Sequence, residues 1–417
     1  MARPDPADIP LALYLHLPWC VKKCPYCDFN SHPAAADSSR RDAQQREYID
    51  AMCHDMLLQA EAGVTGGRRV ETVFIGGGTP SLFAPADIGR LLDTAAGHWS
   101  FATDAEITME ANPGAVEHGS FKGYRSVGVN RVSIGGQSFD ARQLKLLGRL
   151  HGPEEIADAV HNAQQAGFER INVDLMYGLP EQTREQALAD VRAAIALDVS
   201  HISYYQLTLE PNTQFHAFPP DLPDPDDVAE MGDAASNMFA EAGLHHYEVS
   251  ALARNGDVCQ HNLNYWQFAD YLAVGAGAHG KLTTNRGVFR YMRPVHPRSY
   301  IDAMGTASDF CPTRPLTTSS LIFEFMLNAL RLKQGFALSM FETRTGCDRG
   351  QVELTLASAV DRGLLTVTDS EFCRPTALGE RFVNDLQALF LVDSEQGQAI
   401  DSGVGGEPVI HRDRGYA

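Results

Sequence analysis

Several features are scarce in this sequence, and each scarcity excludes something. No stretch approaches about 18 consecutive apolar residues, so no membrane-spanning helix is expected. The opening residues, MARPDPADIP, contain neither a basic n-region nor an apolar h-region, so neither a secretory signal nor an Arg-rich transit peptide is expected there. Positive charge is sparse. The 34 Lys and Arg stand against 53 Asp and Glu, a formal charge of −19. Such a field repels phosphate backbones and anionic lipid, so neither nucleic acid nor a membrane surface is an expected partner. Cysteine is thin and mostly scattered: Cys53, Cys259, Cys311, Cys347 and Cys373 lie far apart in a chain of 417 residues. That is no disulfide framework, and these five are expected to be small hydrophobes in a cytoplasmic protein.

What is present is ordinary globular composition, with enough chain for two or three domains. Apolar runs alternate with amphipathic stretches. Strands are expected at Leu11–Leu17, Thr72–Gly76, Glu106–Glu110, Arg131–Ile134, Ile171–Met176 and His201–Leu207. Helices are expected over Asp42–Ala62, Pro85–His98, Glu117–Val127, Ala141–Gly167, Thr183–Leu197 and Pro225–Gly243, followed by a strand at Tyr247–Ser250. Repeated strand–helix units predict a parallel sheet, and six are too few for a closed eightfold barrel. The fold class is therefore α/β, with a partial (β/α)6 barrel. Beyond Pro312–Leu316, an amphipathic helix, a second helix at Gln351–Arg362 and the hairpin-like LLTVTDSEFCRPT predict a small, mainly helical, winged-helix-like unit. The expected divisions are a flexible lead-in over 1–10, the barrel over 11–250, a connecting region over 251–312, the C-terminal unit over 313–395 and a disordered tail over 396–417.

The densest chemistry is in YLHLPWCVKKCPYCDFNSH, Tyr14–His32. Cys20, Cys24 and Cys27 have the spacing Cys-x3-Cys-x2-Cys, which lets one loop wrap one metal centre. A four-iron cubane normally takes four cysteines. Three leave one iron open for a substrate, as in other catalytic metal sites. A structural zinc completed by His16 or His32 is the alternative reading of the same residues. A second signal follows the second strand. In VFIGGGTPS, Gly76, Gly77 and Gly78 permit close backbone approach, and Thr79 adds a hydroxyl. An ordinary tight turn would use the same residues.

The cysteine spacing, with Tyr26 just before the third cysteine, resembles the radical S-adenosylmethionine (SAM) superfamily. The resemblance implies a 4Fe-4S cluster whose free iron binds the amino and carboxylate groups of SAM. It also implies reductive cleavage of SAM to methionine and a 5′-deoxyadenosyl radical, and so an electron donor. Glu110 in MEANP, Gln137 in IGGQS, Arg149 in LGRLH and Asp174 in NVDLMYGLP extend the likeness to the coproporphyrinogen III oxidase-like branch, over roughly residues 11–395. By that resemblance Tyr14, Gly77 and Glu110 hold one SAM, while Gly78, Thr79, Gln137, Arg149 and Asp174 hold a second.

The branch contains both oxygen-independent oxidases and haem chaperones. The oxidases carry a further cysteine where this chain has Phe29, and a longer extension ahead of the cluster. CQHNLNYW, Cys259–Trp266, is similar to the haem-binding motif of the chaperones. A neutral His261 imidazole can ligate haem iron, and Tyr265 and Trp266 offer flat apolar surface. Haem as cargo and haemoproteins such as respiratory cytochromes as acceptors are what the resemblance implies. Oxidative decarboxylation of porphyrinogen propionates is the competing reading, and radical modification of RNA is disfavoured by the charge.

Overall fold

The computed structural model describes residues 4–115, 120–254, 256–312 and 314–391. The expected tail over 396–417 lies outside the described residues, as do the first residues of the lead-in and of the expected helix Glu117–Val127. Strands are numbered along the chain. The first eight are β1 (Leu11–Leu17), β2 (Trp19–Cys20), β3 (His32–Pro33), β4 (Val70–Gly77), β5 (Phe101–Ala111), β6 (Arg131–Gln137), β7 (Arg170–Tyr177) and β8 (His201–Gln206). They are followed by β9 (His245–His246), β10 (Ala251–Ala253), β11 (Asp270–Val274), β12 (His279–Thr284), β13 (Gly287–Met292) and β14 (Arg314–Pro315). The C-terminal unit holds β15 (Phe336–Ala337), β16 (Leu365–Val367) and β17 (Phe372–Pro375).

One sheet runs β14-β13-β12-β11-β1-β4-β5-β6-β7-β8-β10-β9. From β1 to β8 its neighbours are parallel, joined by the helices Ser38–Glu61, Pro85–His98, Ser120–Ser126, Pro153–Gln165 and Arg184–Ala196. This is the partial barrel. Each β–α–β crossover buries one helix stripe on the sheet. Pro85–His98 buries Ile88, Leu91, Leu92 and Ala95, the spacing of a single helical face. Thr183 starts Arg184–Ala196 with a capping box, its hydroxyl accepting from the Gln186 N–H at 3.3 Å. β1 is buried along its whole length because both faces are covered.

Three local expectations differ. The single helix expected over Ala141–Gly167 is two, Ala141–Leu146 and Pro153–Gln165, because Gly148 at φ +71° and Pro153 end one and start the other. Tyr247–Ser250 is a bend between β9 and β10, and β10 pairs antiparallel with β8. The segment read as a connection also supplies β11, parallel to β1, and the antiparallel strands β12 and β13. Its short strands carry Gly, Lys and Arg, which mask the alternating pattern. Lys281 is buried there because Asp270 accepts from its Nζ at 2.9 Å.

The C-terminal unit packs the helices Thr318–Ala329, Leu338–Thr345 and Glu353–Asp361 with the small sheet β15-β17-β16. Its core centres on Phe325, whose ring meets Phe336 and Phe341 edge-on at 5.2 Å. Phe325 also meets Phe268 of the barrel body at 5.8 Å, so the two cores are joined.

Candidate functional site

The strands of the barrel end around one cavity of about 410 Å³. The cysteine loop leaves β1 and forms its rim. β2 and β3 pair across the loop base, with His32 N–H donating to Pro18 O at 2.7 Å and Ala34 N–H to Cys20 O at 2.8 Å. Asn30 pins the loop to the strand ends beyond β11, donating to Ala276 O and Val295 O at 2.9 and 2.8 Å. Cys20, Cys24 and Cys27 all line the cavity, as do Tyr26, Gly77, Gly78, Thr79, Glu110, Gln137, Arg149 and Asp174. Of the residues singled out from sequence, Tyr14, His16, His32, Gly76, Cys259, His261 and Tyr265 do not line it.

The glycine run is packed for a reason the sequence did not reveal. Gly77 has φ +117°, and a Cβ there would lie 2.6 Å from the His16 ring. A Cβ on Gly78 would lie 2.6 Å from Trp19 O. The glycines therefore let the end of β4 close onto His16 of β1 and onto the backbone at Pro18–Trp19, where the cysteine loop begins. Gly77 N–H donates to Glu110 Oε2 at 3.1 Å. Burial, reinforced by Asp174, pushes the Glu110 carboxyl up to about 8.

The remaining wall is a polar network on the inner face of β6–β8. Asp174 accepts from Asn172 Nδ2 at 2.6 Å and Ser133 Oγ at 3.2 Å, and burial raises its carboxyl above the usual range. Gln137 sits at φ 70° where the β6–β7 register shifts, and its Oε1 accepts from Tyr205 Oη at 2.7 Å. Arg149 donates through Nη2 to Asn112 Oδ1 and Gly135 O at 3.1 and 2.7 Å, and its Nη1 lies 3.7 Å from Cys24 Sγ. Its buried Nε has no partner among the described residues. Tyr14 lies deeper, its hydroxyl 3.0 Å from His16 Nδ1.

The segment Cys259–Trp266 forms a short helix, Gln260–Trp266, packed inside the barrel. Asn262 and Trp266 face the cavity, four residues apart and so on one helix face. His261 points elsewhere and is buried. Its Nδ1 meets Thr72 Oγ1 at 2.8 Å and its Nε2 meets Tyr265 Oη at 3.1 Å. Burial drives its pKa down to about 3, so the ring is neutral. Cys259 Sγ donates to Glu106 Oε1 at 3.5 Å, and burial raises that thiol to about 12.

The radical SAM superfamily profile matches residues 14–194. The chain is 43% identical to the "Heme chaperone HemW" of Escherichia coli K12, over 92% of this chain and 99% of that protein. It is 42% identical to the protein of the same name from Haemophilus influenzae, over 92% and 98%. The chain belongs to the HemW family. Among solved structures, the radical SAM coproporphyrinogen III oxidase HemN of E. coli shares its fold, with a TM-score of 0.77 and 23% identity, over 93% of this chain and 91% of that one.

Membership of the radical SAM superfamily implies a 4Fe-4S cluster and SAM. The donors of this HemW-family chain fit that pair better than a zinc ion. A single zinc draws its thiolates to about 2.3 Å from one point. A cubane is larger, and Cys20, Cys24 and Cys27 all line one cavity of about 410 Å³. His16, offered from sequence as a fourth zinc ligand, has both ring nitrogens engaged, Nδ1 with Tyr14 and Nε2 with Asn30 O at 2.8 Å. The thiols instead open on a cavity with an unpaired arginine Nε and a buried carboxyl, which suits a larger ligand carrying both charges.

Several wall residues escaped the sequence reading. Glu248 and Ser250 come from the bend before β10, and Arg331 and Asn384 from the C-terminal unit. No motif marks them; Arg331 and Asn384 reach the cavity because the C-terminal unit docks at its side. No helix among the described residues is long and apolar enough to cross a membrane.

Proposed function

We propose that this protein is a cytoplasmic haem chaperone built on a radical SAM core. It binds haem and passes it to acceptor haemoproteins, respiratory cytochromes among them. The observation that carries the reading is that Asn262 and Trp266 of the HNxxYW segment line the same cavity as the three cysteines. Full-length likeness to proteins named heme chaperones supports it. So does Phe29, which lines the cavity where the oxidases carry a cysteine.

Cys20, Cys24 and Cys27 would hold the cluster. Tyr14, Gly77 and Glu110 would surround one SAM, with Tyr26 beside it. Gly78, Thr79, Gln137, Arg149 and Asp174 would surround a second. When reduced, the cluster supplies an electron for cleaving SAM. Within the chain, buried Glu110 is suited to a cationic amino group, and Arg149 to a carboxylate. His261 is the proposed axial ligand of haem iron. Ligation through Nε2 requires that nitrogen to leave Tyr265, and because His261 is buried and does not line the cavity, the short helix would have to shift when haem arrives.

The decisive experiment is haem transfer. Anaerobically reconstituted protein is loaded with haem and mixed with an apo-haemoprotein. Transfer, seen as a shift of the Soret band to the acceptor, is the expected result. Two decarboxylations per coproporphyrinogen III in the presence of SAM and reductant, with no haem transfer, would replace the chaperone with an oxidase.

A further inference from the structure

The wall of the cavity away from the cysteines holds a group of unsatisfied polar atoms. Asn262 Oδ1, Trp266 Nε1 and Arg331 Nε are buried and have no hydrogen-bond partner among the described residues. All three residues line the cavity. The guanidinium of Arg331 lies 4.3 Å from the centre of the Trp266 ring, and Asn262 stands one helical turn before Trp266 on the same short helix. Arg331 Nη2 donates to Glu248 Oε2 at 2.9 Å and lies 3.5 Å from Ser250 Oγ. Buried polar atoms are almost always paired, because leaving them unpaired costs stability and returns nothing. Several unpaired atoms on one cavity wall therefore point to a missing ligand.

We propose that this wall is a carboxylate-binding subsite centred on Arg331, and that it takes a propionate of the tetrapyrrole cargo. The inference rests on the haem reading above. Arg carries a planar fork of donors that matches a carboxylate. Glu248 and Ser250 engage Nη2 and fix the guanidinium, while Nε–H has no partner among the described residues and is the donor left for a ligand. Trp266 Nε1 is a further donor. The Asn262 amide, once flipped, presents a donor at the same position. The stacked guanidinium and indole offer a flat surface to the edge of a planar macrocycle. Glu248 offsets the arginine charge, so recognition depends on short hydrogen bonds and not on a long-range field.

The test compares mesohaem with its dimethyl ester on the full reconstituted protein. Wild type should bind the free acid about tenfold more tightly than the ester. Arg331→Ala should bind both at about the ester affinity, and Arg331→Lys should fall between them, since it keeps charge but loses the fork. Equal binding of acid and ester by wild type overturns the proposal without any variant having to fold. A tenfold preference that survives in Arg331→Ala also overturns it. SAM brings a carboxylate too, so SAM affinity is measured in parallel. Loss of SAM binding in Arg331→Ala with haem binding intact would give the subsite to SAM instead. If wild type bound neither porphyrin, the chaperone reading would fail and the subsite with it. If it bound both equally, only the subsite would fail.

Discussion

The backbone N–H of Gly77 donates to the carboxylate of Glu110 at 3.1 Å, tying the glycine turn after β4 to the end of β5. This is the group through which pH should act on SAM binding. Burial holds the Glu110 carboxyl at about 8, against 4.5 for a free glutamate. Below that point the unliganded protein keeps it protonated. The cationic SAM favours the ionised form, so binding should release up to one proton. Affinity should then rise between pH 6 and 8, by up to tenfold per unit, and level off above about 8. The linkage to folding has the opposite sign. The folded protein holds this proton where the unfolded chain has lost it, so unliganded stability should fall as pH rises from 4.5 towards 8. Calorimetric SAM titrations in buffers of different ionisation heat will measure the proton release. Glu110→Gln should remove both effects.

Serine in place of Cys20, Cys24 or Cys27 should abolish the cluster and spare the fold. Wild type should reconstitute with about four irons and four sulfides per chain. Each single variant should hold under one iron and lose the charge-transfer absorption. The thiols sit on a rim loop, outside the main core, so far-UV circular dichroism should stay unchanged. One zinc per chain, without labile sulfide, would refute the iron–sulfur assignment.

Gly77→Ala should be costly even without ligand. The backbone there has φ +117°, and the new Cβ would meet the His16 ring at 2.6 Å. Strain and overpacking together should cost about 3 kcal/mol, read as a shift in the urea midpoint. Gly97→Ala is the control, since a Cβ there meets nothing within 4 Å. It should be neutral or slightly stabilising.

The hydrogen bond between His261 Nε2 and Tyr265 Oη competes with haem iron for the same nitrogen. Tyr265→Phe should therefore strengthen haem binding, by about fivefold for the loss of one neutral hydrogen bond. His261→Ala should remove the Soret band of a histidine-ligated haem. An unchanged spectrum would place the axial ligand on another side chain.

The barrel was legible because its strands are buried on both faces and its helices bury one stripe each. Leu11–Leu17 and Pro85–His98 were read to the residue. The extension through β11 to β13 was not, since Lys281 and Arg290 interrupt the apolar pattern and are tolerated only beside Asp270 and Glu324. The cavity residues Arg331 and Glu248 were equally silent. Each is an ordinary charged residue until the other stands 2.9 Å away.

Local spacing along the chain determined the three-cysteine loop, the glycine turn and the alternation of strand with helix, because each depends on residues a few positions apart. Tertiary structure alone decided that His261 is buried between Thr72 and Tyr265 while Asn262 and Trp266 face the cavity. A motif fixes which side chains are available. Which of them meet a cavity depends on how the helix is packed against β4 and the C-terminal unit, and that depends on residues far away in sequence.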